Sequence, residues 1–213
     1  MIDQRALGVL REHPDELAQA TALLAAAGYD APRTALGAGD RALLDVHRAV
    51  TGRDLELTLT CGACDAVSSV LLGPRTVPPW EPRSVPLGPG AGVREPTYAD
   101  LAGLPPDVDV ATEELLRRCT VGTPSRAATA DDIDAVDTTL SGPLVAVCAE
   151  CGATVESPVD VQRLVLESLM RVLDDADVEV HLLARTYGWD LATIEALPPD
   201  RRSRFAWLVA EGR

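Results

Sequence analysis

The chain contains no Lys and no Asn, one Phe, two Met and three His in 213 residues. Without Lys, all 19 basic residues are Arg, and they face 33 Asp and Glu for a formal net charge of −14. Such a surface repels phosphate backbones and anionic lipid, so neither nucleic acid nor a membrane is the expected partner. Aromatics make up 3% of the residues while 46% are hydrophobic, so the core has to be built from Leu, Val and Ala. No apolar run reaches the length of a membrane span. The opening residues Met1-Ile2-Asp3-Gln4-Arg5 lack the charged-then-apolar plan of a secretion signal. The expectation is a cytoplasmic protein, in which a reducing environment keeps thiols free for metal. Also missing are a Gly-rich phosphate loop, a Gly-x-Ser-x-Gly elbow and a His-Glu-x-x-His helix. With His only at positions 13, 47 and 181, the sequence points to no His-based catalysis, no small-molecule substrate and a protein that is not an enzyme.

What the chain does have is one signature written twice. Leu55-Glu56-Leu57-Thr58-Leu59-Thr60-Cys61-Gly62-Ala63-Cys64 and Leu144-Val145-Ala146-Val147-Cys148-Ala149-Glu150-Cys151-Gly152 both run as alternating apolar segments into Cys-x-x-Cys. Thiolates at that spacing converge because a tight turn at the end of a strand aims both sulfurs the same way. Asp65 and Gly152 follow the two turns, and both residue types tolerate the left-handed conformation such turns require. Each turn leads into a second apolar segment, Ala66 to Leu72 and Ala153 to Val159. Strand, knuckle, strand, occurring twice, is the plan of a zinc ribbon, with Cys61, Cys64, Cys148 and Cys151 as the four ligands of a closed structural Zn2+ site. The competing readings are buried small hydrophobes or a redox dithiol. A redox motif belongs beside a parallel-sheet pattern and needs no matching pair downstream. Cys119 sits in a helical pattern and reads as a reduced core residue.

The expected fold class is α+β: a zinc-ribbon-like antiparallel β core formed by two Cys-x-x-Cys hairpins, with a helical insertion between them and helical segments at both ends. The corresponding divisions are 1–52 for the N-terminal helices, 53–73 and 141–159 for the ribbon halves, 74–140 for a Pro-rich loop and helical insertion, and 160–213 for the C-terminal helices. Residues 4 to 28 read as helix, interrupted at Pro14 and stopped at Gly28. A second helix is expected from Asp40, as its cap, to Gly52, with His47 packed or facing solvent rather than on the metal. The stretch Gly73 to Pro96, dense in Pro and Gly, reads as a long exposed loop. In it Trp80 is either an anchor for a partner or a cover for the ribbon's flank. Further helices are expected over Tyr98 to Ala102 capped by Thr97, over a turn capped by Asp109 that runs to Cys119, and from Asp131 or Asp132 through Ile133 to Leu140. After Asp160 a helix is expected to break at Asp174-Asp175-Ala176-Asp177, resume from Val178 to Tyr187 with His181 a candidate for a buried hydrogen-bonding residue, and be followed by short helices opened by Asp190 and near Asp200. Arg201, Arg202 and Arg204 form the one dense basic cluster, suited to docking an acidic partner.

Gly39-Asp40-Arg41-Ala42-Leu43-Leu44, the first cysteine segment, and His181-Leu182-Leu183-Ala184-Arg185-Thr186-Tyr187-Gly188-Trp189-Asp190 with Ile194-Glu195-Ala196-Leu197-Pro198 together carry a family likeness. The chain from about Gly39 to Arg202 resembles the baseplate hub assembly chaperones of T-even phage tails, relatives of which accompany contractile injection systems. The resemblance implies a non-enzymatic protein that binds baseplate hub or spike proteins, with metal as an elaboration of the scaffold. Trp80, Tyr187, Trp189, Arg201, Arg202 and Arg204 are the candidate partner-binding residues. The alternatives are a zinc-ribbon regulator that binds nucleic acid through the C-terminal helices, a permanent structural subunit of the baseplate, and an enzyme built on scattered carboxylates.

Overall fold

A computed structural model describes residues 6–212, so Gln4 and Arg5, where the first expected helix would begin, lie outside the described residues. Helices and small antiparallel sheets make up the chain, which divides into two compact units, up to Leu166 and from Glu167 onward. No helix among the described residues is long and apolar enough to cross a membrane.

In the first unit, a 3-10 turn (Ala6–Gly8) leads into α1 (Val9–Glu12), and α2 (Glu16–Ala26) follows the Pro14 break. Asp15 caps α2 by accepting from the Ala18 N–H at 2.8 Å, and Gly28 leaves it at φ +91°. α3 (Leu36–Thr51) starts a turn earlier than expected, with Ala35 at its cap position, and ends at left-handed Gly52. Asp40 is therefore not a cap. It lies buried in the middle of α3, and its carboxylate accepts from the Leu140 N–H at 2.7 Å, 100 positions along the chain. Burial pushes its pKa up to about 7, against the lowering effect of that hydrogen bond. His47 is buried on the same helix.

Two hairpins follow the cysteine pattern: β1 (Leu55–Thr60) with β2 (Val67–Leu72), and β6 (Gly142–Val147) with β7 (Thr154–Val159). Strand alternation puts Leu55, Leu57 and Leu59 inward and Glu56, Thr58 and Thr60 outward, and β1 lies against β7.

Between the hairpins, the expected long loop is irregular over residues 73–83 but forms sheet over most of 84–94. β3 (Ser84–Gly88) and β4 (Ala91–Arg94) form a hairpin joined by β5 (Thr120–Val121) into a three-stranded antiparallel sheet. The Pro and Gly density that suggested a loop has specific tasks here. Pro86 sits on an edge strand beside a bulge, and Gly88 and Gly90, at φ +132° and +69°, turn the chain. Leu87, Ala91 and Val93 then pack with Cys119 and Val136, and Cys119 is the buried core residue expected.

The inserted helices are α4 (Tyr98–Leu101), α5 (Val108–Cys119) and α6 (Ala130–Val136). α5 is capped by Asp107, not Asp109, because the Asp107 carboxylate reaches the N–H groups of Asp109 and Val110. α6 opens at Thr129 and stops at Val136. Asp132 is not its cap but the third helical residue of a capping box. α4 and α6 begin with the same device: an Arg three positions before the capping Thr grips the Asp three positions after it. Arg94 meets Asp100 at 2.6 and 3.0 Å, and Arg126 meets Asp132 at 2.7 and 2.6 Å. These bidentate pairs hold the Asp100 carboxyl below the usual carboxylate range, with Arg94 and the Thr97 groups outweighing desolvation.

α7 (Val161–Tyr187) begins in the first unit and runs without the expected break. Asp174, Asp175 and Asp177 are exposed, where each acidic side chain costs a helix only about 0.5 kcal/mol by propensity. In the second unit α8 (Leu191–Glu195) is capped by Asp190, and α9 (Pro199–Ala210) starts with Pro in its first turn. Leu183, Ile194 and Ala206 form the buried cluster of this unit, with Trp189 and Phe205 packed on it.

Candidate metal centre

Cys61 and Cys148 occupy equivalent places, the first position after an alternating strand, and the two turns repeat each other bond for bond. Cys61 donates its N–H to the Ala66 carbonyl (2.9 Å) and accepts from the Asp65 N–H (2.9 Å). Cys148 donates to Ala153 (2.8 Å) and accepts from Gly152 (3.0 Å). Each turn passes through a left-handed residue, Asp65 at φ +58° and Gly152 at φ +73°. Asp65 is the one non-glycine residue with positive φ among those described, a place Asp tolerates because its short side chain bonds locally.

The geometry brings all four sulfurs together. Cys61 Sγ lies 3.7 Å from Cys151 Sγ and Cys64 Sγ lies 3.7 Å from Cys148 Sγ, so each close contact joins one hairpin to the other. All four lie within 4.8 Å of one another, an arrangement that could hold a metal ion. The first cysteine of each pair is buried and the second exposed. Backbone N–H groups of Cys151 and Glu150 pull the Cys148 thiol down to about 7. Cys64 goes the other way: the Ala66 N–H favours its thiolate, but the neighbouring thiols, Cys151 first, drive it up to about 12. One negative sulfur thus suppresses ionisation of the next. All four sulfurs could be thiolates together only with a cation among them to neutralise the charge.

None of the other candidate residues is a member of the sulfur cluster. Trp80 is half-buried, and its indole N–H donates to Glu95 Oε2 at 2.9 Å. The other Glu95 oxygen accepts from the Gly37 N–H (2.8 Å) and the Thr138 hydroxyl (2.7 Å). A Cβ at Gly37 would fall 2.1 Å from Thr138 Oγ1, so only Gly fits. With Tyr29, Arg41 and Pro78, Trp80 lines a cleft of about 240 Å³ against α3. Glu95 was not a sequence candidate; nothing in the sequence marks its position inside the Pro-rich stretch as buried.

In the second unit, Tyr187 stacks on Trp189 at 4.7 Å, and Phe205 meets both edge-on. Arg201 lies over the Phe205 ring at 5.5 Å, and Arg204 is exposed. Arg202 does not belong to a free basic patch. It is buried and its Nε donates to Glu179 at 2.8 Å, because its position in α9 turns it inward. His181, a candidate for a buried hydrogen-bonding residue, is exposed on α7. No protein-family model, curated protein or solved structure matches the chain.

Proposed function

We propose that Cys61, Cys64, Cys148 and Cys151 hold one structural Zn2+ in a ribbon-like module. We further propose that the protein is a non-enzymatic assembly chaperone or accessory subunit for the baseplate hub of a contractile tail or injection system, acting by protein contacts. The observation that carries the metal reading is the sulfur geometry. A regular tetrahedron with Zn–S of about 2.3 Å has edges of about 3.8 Å; two of the four cross-hairpin separations are 3.7 Å, and every sulfur lies within 4.8 Å of the others. Four thiolates close the coordination sphere, so the ion staples the hairpins and leaves no position for substrate or water. The hub reading rests on the family likeness of the α3, first-hairpin and Tyr187-to-Pro198 segments. It is supported by the acidic composition and by exposed Tyr187 beside Trp189.

The test has two parts. Elemental analysis of protein purified without chelator gives about one Zn2+ per chain, the stoichiometry of a single four-sulfur site; a value far below that removes the staple. Co-purification with hub and spike proteins, followed through tail assembly, finds this chain on precursors and absent from finished particles. Retention in finished particles would make it a structural subunit. Salt-sensitive binding to DNA without hub binding would make it a regulator.

A further inference from the structure

The hairpin register decides which main-chain groups of β2 point away from β1. The bond from the Cys61 N–H to Ala66 makes Thr60 and Val67 a pair that exchanges no hydrogen bonds, and the alternation repeats at Thr58 with Ser69 and at Glu56 with Leu71. The N–H and C=O groups of Val67, Ser69 and Leu71 therefore face the edge of β2 that has no strand beside it among the described residues. The second hairpin obeys the same rule: Pro143 and Pro158 face each other at such a pair, where a missing N–H costs no ladder bond.

Natural sheets blunt their edges with charge, proline or shortness. β1 carries Glu56, β3 Pro86, β4 Arg94, β6 Pro143 and β7 both Glu156 and Pro158, while β5 has two residues. β2, Val67-Ser68-Ser69-Val70-Leu71-Leu72, has neither charge nor proline over six residues. Val67 is 67% exposed and Leu71 51%. A bare apolar edge on so acidic a chain is a surface built to be covered.

We propose that β2 docks an extended segment of another protein, one with alternating apolar side chains and a net positive charge. Main-chain groups repeating every second residue are matched by an added strand, and Val67 and Leu71 select apolar neighbours at alternate positions. Charge decides whose strand it is. A second copy would bring another −14 to an edge flanked by Asp65 and, across the pair, by Glu56, whereas both attract a basic segment. This deepens the protein-contact reading above and rests on it, naming the surface and the chemistry of the partner.

The test uses the full-length, metal-loaded protein and a short synthetic peptide of alternating Val and Thr with Arg at both ends. A counterpart ending in Glu serves as the control. The Arg peptide slows amide exchange at Val67, Ser69 and Leu71 by about tenfold or more, read by NMR. Ser69→Pro removes one outward N–H and no β1–β2 bond, and weakens peptide binding by about tenfold. Leu71→Lys, at an exposed side chain, weakens it similarly and is the deciding variant if Ser69→Pro lowers the yield of folded protein. Absence of slowing, equal binding of the Glu peptide, or unchanged binding by Leu71→Lys overturns the proposal. So does self-association of the parent, by sedimentation velocity, that Leu71→Lys abolishes. Peptide binding without hub-protein binding would leave the docking edge standing and sink the hub reading, and the converse would do the reverse.

Discussion

The cysteine hairpins and the segment between them are held together by opposite means. The inserted sheet and helices bury Leu87, Val93, Cys119 and Val136 around one another and lock two helix starts with bidentate Arg–Asp pairs. The hairpins leave Val67, Leu71, Val145 and Val147 exposed and bury little beyond one row of Leu on β1, Val159 and two sulfurs. Where burial is scarce a cross-link has to substitute for it, as in other small modules that cannot fill a core. The insertion is stabilised by packing, whereas on the proposed metal reading the hairpins depend on four sulfur atoms.

The largest expected effect comes from breaking those atoms apart. Cys151→Ser, or a strong chelator, removes a site whose binding free energy in zinc peptides is on the order of 10–16 kcal/mol, comparable to the whole stability of a domain. Hydrogen exchange should then rise throughout β1, β2, β6 and β7 while β3 and β4 stay protected. Simultaneous loss of protection in both regions would show that the insertion also leans on the metal. The converse substitution, Leu87→Ala, is expected to cost about 2–5 kcal/mol by denaturant melt. Metal content stays unchanged, and a fall in bound metal would erase the distinction.

The smallest effect probes the seam, where Asp40 on α3 holds Leu140 just ahead of β6. Its folded pKa, about 7, lies above the ordinary carboxylate value, so the folded state binds the proton more tightly than the unfolded chain. Its contribution to stability therefore declines as pH rises from about 4 to about 7 and levels off beyond. Asp40→Asn keeps an oxygen for the Leu140 N–H and should lose less stability than the parent between those limits, compared by urea melts of the metal-loaded proteins. Equal slopes would mean that Asp40 titrates normally.

The hairpins were legible because Cys-x-x-Cys after an alternating run states both the strand and its turn; β1 matches its expected segment residue for residue, and β6 begins two residues before its own. β3 and β4 were not, because proline and glycine report what a residue cannot do locally, and only the bulge at Pro86 to Gly88 shows how a strand accommodates them. The aspartates misled in a consistent way. At Asp40 and at Asp174 to Asp177 the residue type suggested a boundary, but a buried bond in one case and exposed places on a continuous helix in the other decided the outcome. The convergence of the four sulfurs was readable from spacing; the clamp made by Glu95 on Trp80, Gly37 and Thr138 depends on partners up to 58 residues from Glu95 and left no local trace.

The cross-hairpin pairing also sets an order of events during synthesis. Cys64 leaves the ribosome 84 positions before Cys148, and Cys61 leaves 90 before Cys151. At translation speeds of about 5–20 residues per second, the first pair waits roughly 4–18 s for its counterpart. In that interval the intervening segment emerges complete, so it can assemble around Val93 before the clasp around it is able to shut. Once Val136 has left the ribosome and before Cys148 follows, β3, β4 and their helices are free to assemble, while the first hairpin still lacks the other two sulfurs.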